Sequence, residues 1–164
     1  MTAKTDKPKK TAVEYAAYLL GVRMYSAAEL RKKMLAKEYS FPEVRAVIED
    51  FTRKGYLNDA LYAENLCSSL TARGDGKRKI AGKLRMKGID PDLIDNTLDK
   101  LDREVPEEEA ARQALQKKRA SLLRESDEQK RKEKAVRYLA GHGFSASAAF
   151  AAWERFRQDE NGNC

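Results

Sequence analysis

Apolar residues along this chain recur at three- and four-residue spacing, and glycine, proline or a helix-starting polar residue interrupts them at intervals; no stretch sustains strict alternation. Residues 1–11 are polar and lysine-rich and read as a disordered basic tail. From Ala12 the pattern is helical, with Val13, Ala16, Ala17 and Leu20 on one face and Tyr15, Tyr18, Leu19 and Val22 widening it. Ser26 and Glu29 form a capping box ahead of Leu30, Met34 and Leu35, and Ser40 and Glu43 repeat the device ahead of Val44, Val47, Ile48 and Phe51. Gly55 stands where a left-handed helix cap is needed. A fourth helix starts at Asn58 or Asp59 and carries Leu61, Tyr62, Leu66 and Leu70 until Gly74-Asp75-Gly76 breaks it. Lys77 to Lys87 forms a short fifth helix, and Asp90-Pro91 starts a sixth with Leu93, Ile94, Leu98 and Leu101 inside. Beyond Pro106 the spacing predicts one long polar helix to about Arg124. Ser126 or Asp127 opens an eighth with Ala135, Val136 and Leu139, and Ser145 caps a ninth with Ala149, Phe150, Trp153 and Phe156.

These nine helices fall into three sets that align by subtraction. An offset of 50 pairs Leu30 with Ile80, Met34 with Leu84, Ser40 with Asp90, Val44 with Ile94 and Phe51 with Leu101. An offset of 55 then pairs Leu84 with Leu139, Gly88 with Gly143, Asp90 with Ser145, Leu98 with Trp153 and Leu101 with Phe156. Caps, turn glycine and core agree together, which points to an all-α chain of three tandem three-helix repeats at 12–58, 59–105 and 106–157, with a disordered tail over 158–164. Pairing is weakest in the first helix, where Ala16, Ala17 and Leu20 stand opposite Leu66, Cys67 and Leu70. Stacked units imply an elongated molecule that flexes near Gly55 to Asp59 and near Glu104 to Glu107, where little apolar surface can cross. The third repeat is thin, because Ala135, Ala148, Ala149 and Ala151 occupy places where bulkier residues would deepen its core.

Charge narrows the class of partner. The net charge is +7, and 36% of residues are charged against 41% hydrophobic. Such a balance favours polyanions, nucleic acid first among them. The fifth helix concentrates the charge in Lys77, Arg78, Lys79, Lys83, Arg85 and Lys87, with no acid between Asp75 and Asp90. Lys79, Lys83 and Lys87 form one stripe, echoed in the first repeat by Lys33 and Lys37 and in the third by Lys134 and His142. This stripe is the candidate contact for phosphate or an acidic protein, blind to base sequence. Immediately downstream the sign reverses, and Asp95, Asp99 and Asp102 lie in an acidic stretch that suits a basic protein surface or a solvated face.

Catalytic and metal chemistry find no footing. His142 is the single histidine and sits between two glycines; no Cys/His cluster has metal spacing, and no nucleophile with a base can be nominated. A non-enzymatic protein without cofactor is expected. Cys67 lies in an apolar helical pattern and Cys164 in a polar terminal segment, so no stabilising disulfide is expected and a reducing compartment fits. The apolar stretch Ala12 to Val22 carries Glu14 and is too short to span a membrane. A soluble, cytoplasmic chain without a membrane partner follows.

Four segments taken in order carry a family resemblance. They are Tyr25-Ser26-x-x-Glu29-Leu30-x-x-Lys33-Met34; Gly55-Tyr56-Leu57-Asn58-Asp59-x-x-Tyr62-Ala63; Ile80-x-x-Lys83-Leu84-x-x-Lys87-Gly88-Ile89; and Tyr138-Leu139-x-x-x-Gly143-Phe144 followed by Trp153-Glu154-x-Phe156. The succession resembles the RecX family of bacterial recombination regulators over about residues 12 to 156. The resemblance implies a curved, elongated monomer that binds the RecA filament on single-stranded DNA. It implies inhibition of the recombinase's ATPase, strand-exchange and coprotease activities, in recombination, repair and the SOS response. It carries over no sharply defined site residues. The alternative is a sequence-nonspecific DNA-binding helical module without a filament partner; a scaffold that uses only the acidic stretch is a third reading.

Overall fold

The structure, a computed structural model, describes residues 10–161, and every regular element among them is helical. The helices are α1 (Ala12–Val22), α2 (Ala27–Leu35), α3 (Phe41–Arg53), α4 (Asp59–Arg73), α5 (Lys77–Met86), α6 (Pro91–Glu104), α7 (Glu107–Gln116), α8 (Arg119–Leu122), α9 (Glu128–Gly141) and α10 (Ala146–Asn161). Both predicted capping boxes form, at Ser26 with Glu29 and at Ser40 with Glu43. A third, Thr11 with Glu14, starts α1 inside the stretch the sequence assigns to a tail. At the far end α10 continues through Gln158–Asn161, also assigned to a tail. Residues 1–9 of the first tail and 162–164 of the second, Cys164 among them, lie outside the described residues.

The chain divides into two compact units, with the boundary inside α4 between Tyr62 and Ala63. In the first unit, α1, α2 and α3 close over Ala16, Leu30, Met34 and Val44. The buried stripe of α1 is Ala12, Ala16 and Leu19, while Val13 and Ala17 face outward. This corrects the stripe predicted from spacing and explains the weak pairing of the first helices. Ala12, Ala16 and Leu19 match Ala63, Cys67 and Leu70 at an offset of 51, because one extra residue precedes α2. The start of α4 is tied to this unit by polar contacts. Asn58 accepts from the Leu61 amide at 2.9 Å, and Asp59 reaches back to cap the Ala27 amide at 2.8 Å. Arg23 lies 3.6 Å above the Tyr25 ring and grips both Glu29 carboxylate oxygens. Burial and then the hydrogen-bonded Glu29 push the Tyr62 phenol up to about 12.

The second unit contains a tenth helix that the sequence reading lacks. The predicted long seventh helix breaks at Lys117-Lys118, where the Lys118 amide bonds three residues back to Leu115 at 2.8 Å. Tightening of this kind is common at helix ends. It leaves Leu115 and Leu122 both fully buried, and Arg119 of α8 ion-pairs with Glu160 at the end of α10. The third repeat's alanines are interior: Ala111, Ala114, Ala148, Ala149 and Ala152 let α7 and α10 approach closely around Trp153 and Phe156. Ala152, not Ala151, completes that core, and Phe150 is half exposed.

Backbones meet at the junction between the second and third repeats, where the sequence suggests few contacts. The Gly76 amide donates to the His142 carbonyl at 2.7 Å, and the Arg78 amide to the Gly143 carbonyl at 3.1 Å. A Cβ on Gly76 would lie 2.7 Å from the Gly143 carbonyl carbon and the Phe144 nitrogen; one on Gly143 would lie 2.5 Å from the Lys79 nitrogen. Lys117 Nζ donates across the same junction to the Ala72 carbonyl at 2.5 Å. The expected hinge near Glu104 to Glu107 is therefore bridged. Gly76→Ala is expected to destabilise the second unit by roughly 1–3 kcal/mol through overpacking, read as a fall in melting temperature.

The turn after the second helix of each repeat needs a left-handed residue. Gly88 and Gly143 supply it at φ +70° and +85°, and the first repeat places Glu38 there at φ +64°. A side chain in this region costs of order 1 kcal/mol or more. Glu38→Gly is expected to stabilise the first unit by roughly 0.5–1 kcal/mol after the entropy cost of glycine, measured by urea denaturation.

Candidate nucleic-acid and partner interface

Gly76 offers α5 no side-chain cap, so the helix begins on backbone contacts alone, with Asp75 just before it. Asp75 is 6% exposed and lies under the lysine stripe. Residues four apart on a helix share a face, so the row that holds Lys79 and Lys83 leads back to position 75. Lys79 Nζ meets one Asp75 oxygen at 2.7 Å and Lys83 Nζ the other at 2.6 Å. Burial works to raise the Asp75 carboxyl, but the two ammonium groups overcome it and hold the group below the usual aspartate value. Lys77 is paired as well, with Asp102 at 2.6 Å. The row of uncompensated charges predicted for the fifth helix is thus half compensated, because its counter-ions lie just outside the stretch or on α6.

The remaining predicted residues divide between the two units. Arg78 and Arg85 stand exposed on α5, beside Met86 at 86% exposure, and Lys87 is partly buried. Lys33 and Lys37 are exposed on α2 and around its C-terminal turn, in the first unit. Of the acidic residues, Asp102 is structural: besides holding Lys77, it accepts the Glu107 amide at 3.1 Å. Asp95 and Asp99 stay exposed, one turn apart on α6. His142 caps α9, with Nδ1 2.8 Å from the Tyr138 carbonyl and its ring against Tyr138. Burial pushes the Cys67 thiol up to about 11, with Glu64 adding to the effect. Among the described residues no group of three His, Cys, Asp or Glu side chains could hold a metal, and no helix is long and apolar enough to cross a membrane.

A further basic site escapes the sequence reading. Lys118, Lys134 and Arg137 line a groove of about 300 Å³ over Ser121, Leu122 and Tyr138. The signal is legible as Lys134 and Arg137 at helical spacing in α9. Its partner, Lys118, is hidden if residues 107–124 form one helix, because only the turn at Lys117-Lys118 brings α8 against α9.

Comparison with known proteins places these features in a family. Models of the RecX family match in chain order: the first three-helix domain over residues 12–51, the second over 58–98 and the third over 106–153. The regulatory protein RecX of Pelodictyon phaeoclathratiforme is 36% identical over 141 residues, covering 85% of each chain. That of Haemophilus influenzae (strain PittEE) is 34% identical over 134 residues, covering 81% of this chain and 86% of the other. The crystal structure of RecX from Lactobacillus salivarius shares the fold with a TM-score of 0.79 at 18% identity, covering 90% of this chain and 95% of that one.

The Asp75 cluster generates a pH dependence. A carboxyl held below its usual value of 3.8 contributes its stability above that value and loses it as pH falls through the lower, folded one. Asp75→Asn is expected to cost roughly 1.5–3 kcal/mol at neutral pH, as for a hydrogen-bonded charged group. The gap between the two melting temperatures should narrow as pH drops below 3.8. A gap independent of pH would contradict the assignment.

Proposed function

The chain belongs to the RecX family, and from that premise we propose that it is a negative regulator of the RecA recombinase, acting as a cytoplasmic monomer bound to the recombinase filament on single-stranded DNA. The observation that carries this reading is the succession of all three family domains in order along one chain. Binding inhibits ATP hydrolysis, strand exchange and coprotease activity without chemistry of the regulator's own.

The charge layout supports the same reading. A recombinase filament on DNA presents both protein and phosphate. Exposed cations at Lys33, Lys37, Arg78 and Arg85 suit phosphate or acidic protein surface, while Asp95 and Asp99 suit a basic protein surface. Lys77, Lys79 and Lys83 contribute less to a partner, because each is engaged with a carboxylate of this chain. Charge reversal at Lys79 and Lys83 would damage the fold before it informed on binding.

Titrating recombinase ATPase on single-stranded DNA with this protein at physiological salt tests the reading. Inhibition is expected at well below one chain per recombinase protomer, since one chain that blocks filament growth silences many protomers. Arg78→Gln with Arg85→Gln should raise the half-inhibitory concentration roughly tenfold, equivalent to about 1.4 kcal/mol, with the melting temperature unchanged. No inhibition at excess protein, with naked DNA still bound, would replace this reading by a general DNA-binding module.

A further inference from the structure

In the second repeat Asp75 neutralises Lys79 and Lys83 of the stripe, whereas Lys134, the counterpart of Lys79 in the third repeat, has no such carboxylate. At the offset of 55, Lys79 corresponds to Lys134 and Asp75 to Lys130. Where α5 has a buried carboxylate beneath its lysines, α9 therefore has another cation. Lys134 Nζ, lacking a carboxylate, donates to the Ser121 carbonyl at 2.8 Å. Lys118 Nζ sits 5.4 Å from the centre of the Tyr138 ring. Arg137 is exposed, and Glu133, one turn away from it, accepts from Gln129 instead at 3.2 Å. Among the described residues no carboxylate pairs with Lys118, Lys134 or Arg137, and none lines the groove of about 300 Å³ that they form. Other grooves of this unit mix their charges: one has Glu64 and Glu104 with Lys100, another Glu108 and Glu109 with Arg112 and Arg155.

We propose that the groove between α8 and α9 seats the phosphodiester backbone of single-stranded nucleic acid, with Lys118, Lys134 and Arg137 on phosphate oxygens and the half-buried Tyr138 ring against sugar or base. This rests on the function proposed above and assigns its nucleic-acid contact to the third repeat. Lys134 and Arg137 project from successive turns, with Cβ atoms roughly 5–6 Å apart, a repeat that suits neighbouring phosphates of one strand. The planar Arg137 fork can take two oxygens of one phosphate, and the lysines act as point charges. An acidic peptide would match the charge alone, whereas an aromatic base can also rest on the Tyr138 ring. Tyr138 also links this groove to α5. Burial raises its phenol, while Lys79 lowers and Asp75 raises it, so its hydroxyl end feels the Asp75 cluster as its ring lines the groove.

The test uses the full chain and a fluorescent oligothymidylate without recombinase, so its failure would leave filament regulation standing. Lys118→Gln, Lys134→Gln and Arg137→Gln together should weaken binding at least ~10-fold and lower the salt slope by about two, at about 0.7 per single-strand phosphate contact. Lysine acetylation of the unsubstituted chain gives the same answer should the triple variant fold poorly: bound oligonucleotide should protect Lys118 and Lys134. Unchanged affinity and slope, or equal acetylation with and without DNA, would overturn the proposal. Displacement of the strand by pyrophosphate at equal charge would make the groove a free-phosphate site. Displacement by polyglutamate at equal charge would make it an acidic-peptide site. Either would overturn the nucleic-acid assignment, and resistance to both competitors supports it.

Discussion

Between Gly76 and Gly143 two backbones touch with no side chain in between. The Gly76 amide gives up its hydrogen bond to a carbonyl of another repeat, and the space beyond each Cα is filled by the opposing chain. Asp75, one residue earlier, takes Lys79 and Lys83 onto itself from the first two turns of α5. This short stretch therefore sets the start of α5, the position of the third repeat against it and the charge that α5 has left to offer. Substitution in an apolar core can be relieved by neighbouring rotamers. A contact made of main chain and a buried carboxylate has less freedom to adjust.

The local structure is legible in the chain wherever one residue type has one physical task. Ser26, Ser40 and Asp90 start helices because a short side-chain oxygen satisfies free amides, and each is found doing so. Gly55, Gly88 and Gly143 mark left-handed turns. Glu38 conceals the corresponding turn in the first repeat, because its sequence carries no signal for positive φ. The first-helix register was obscured by a one-residue difference in loop length, which moves every side chain by about 100° around a helix. The break at Lys117-Lys118 has neither glycine nor proline to announce it, and buried leucines, Leu115 and Leu122, stand on either side of it.

Candidate contacts were harder to read than the fold, and for a consistent reason. A run of like charges in sequence says nothing about counter-ions supplied from outside the run. Asp75 lies in register with Lys79 and Lys83 at four-residue spacing, so that pairing could have been read; Asp102 with Lys77 depends on how α6 packs on α5. The repeat alignment carries the remaining information. Asp75 in one repeat and Lys130 in the next mean that the homologous lysines Lys79 and Lys134 differ, the first paired with a carboxylate and the second held only by the Ser121 carbonyl.

The proposed regulator of the RecX family acts on the recombinase filament and not on DNA alone. Cryo-electron microscopy of recombinase filaments assembled on single-stranded DNA with the protein present tests it most directly. Continuous density for the three-helix domains is expected along or at the end of the filament, with α9 turned toward the strand. Bare filaments, with the protein found only on recombinase-free DNA, would contradict it.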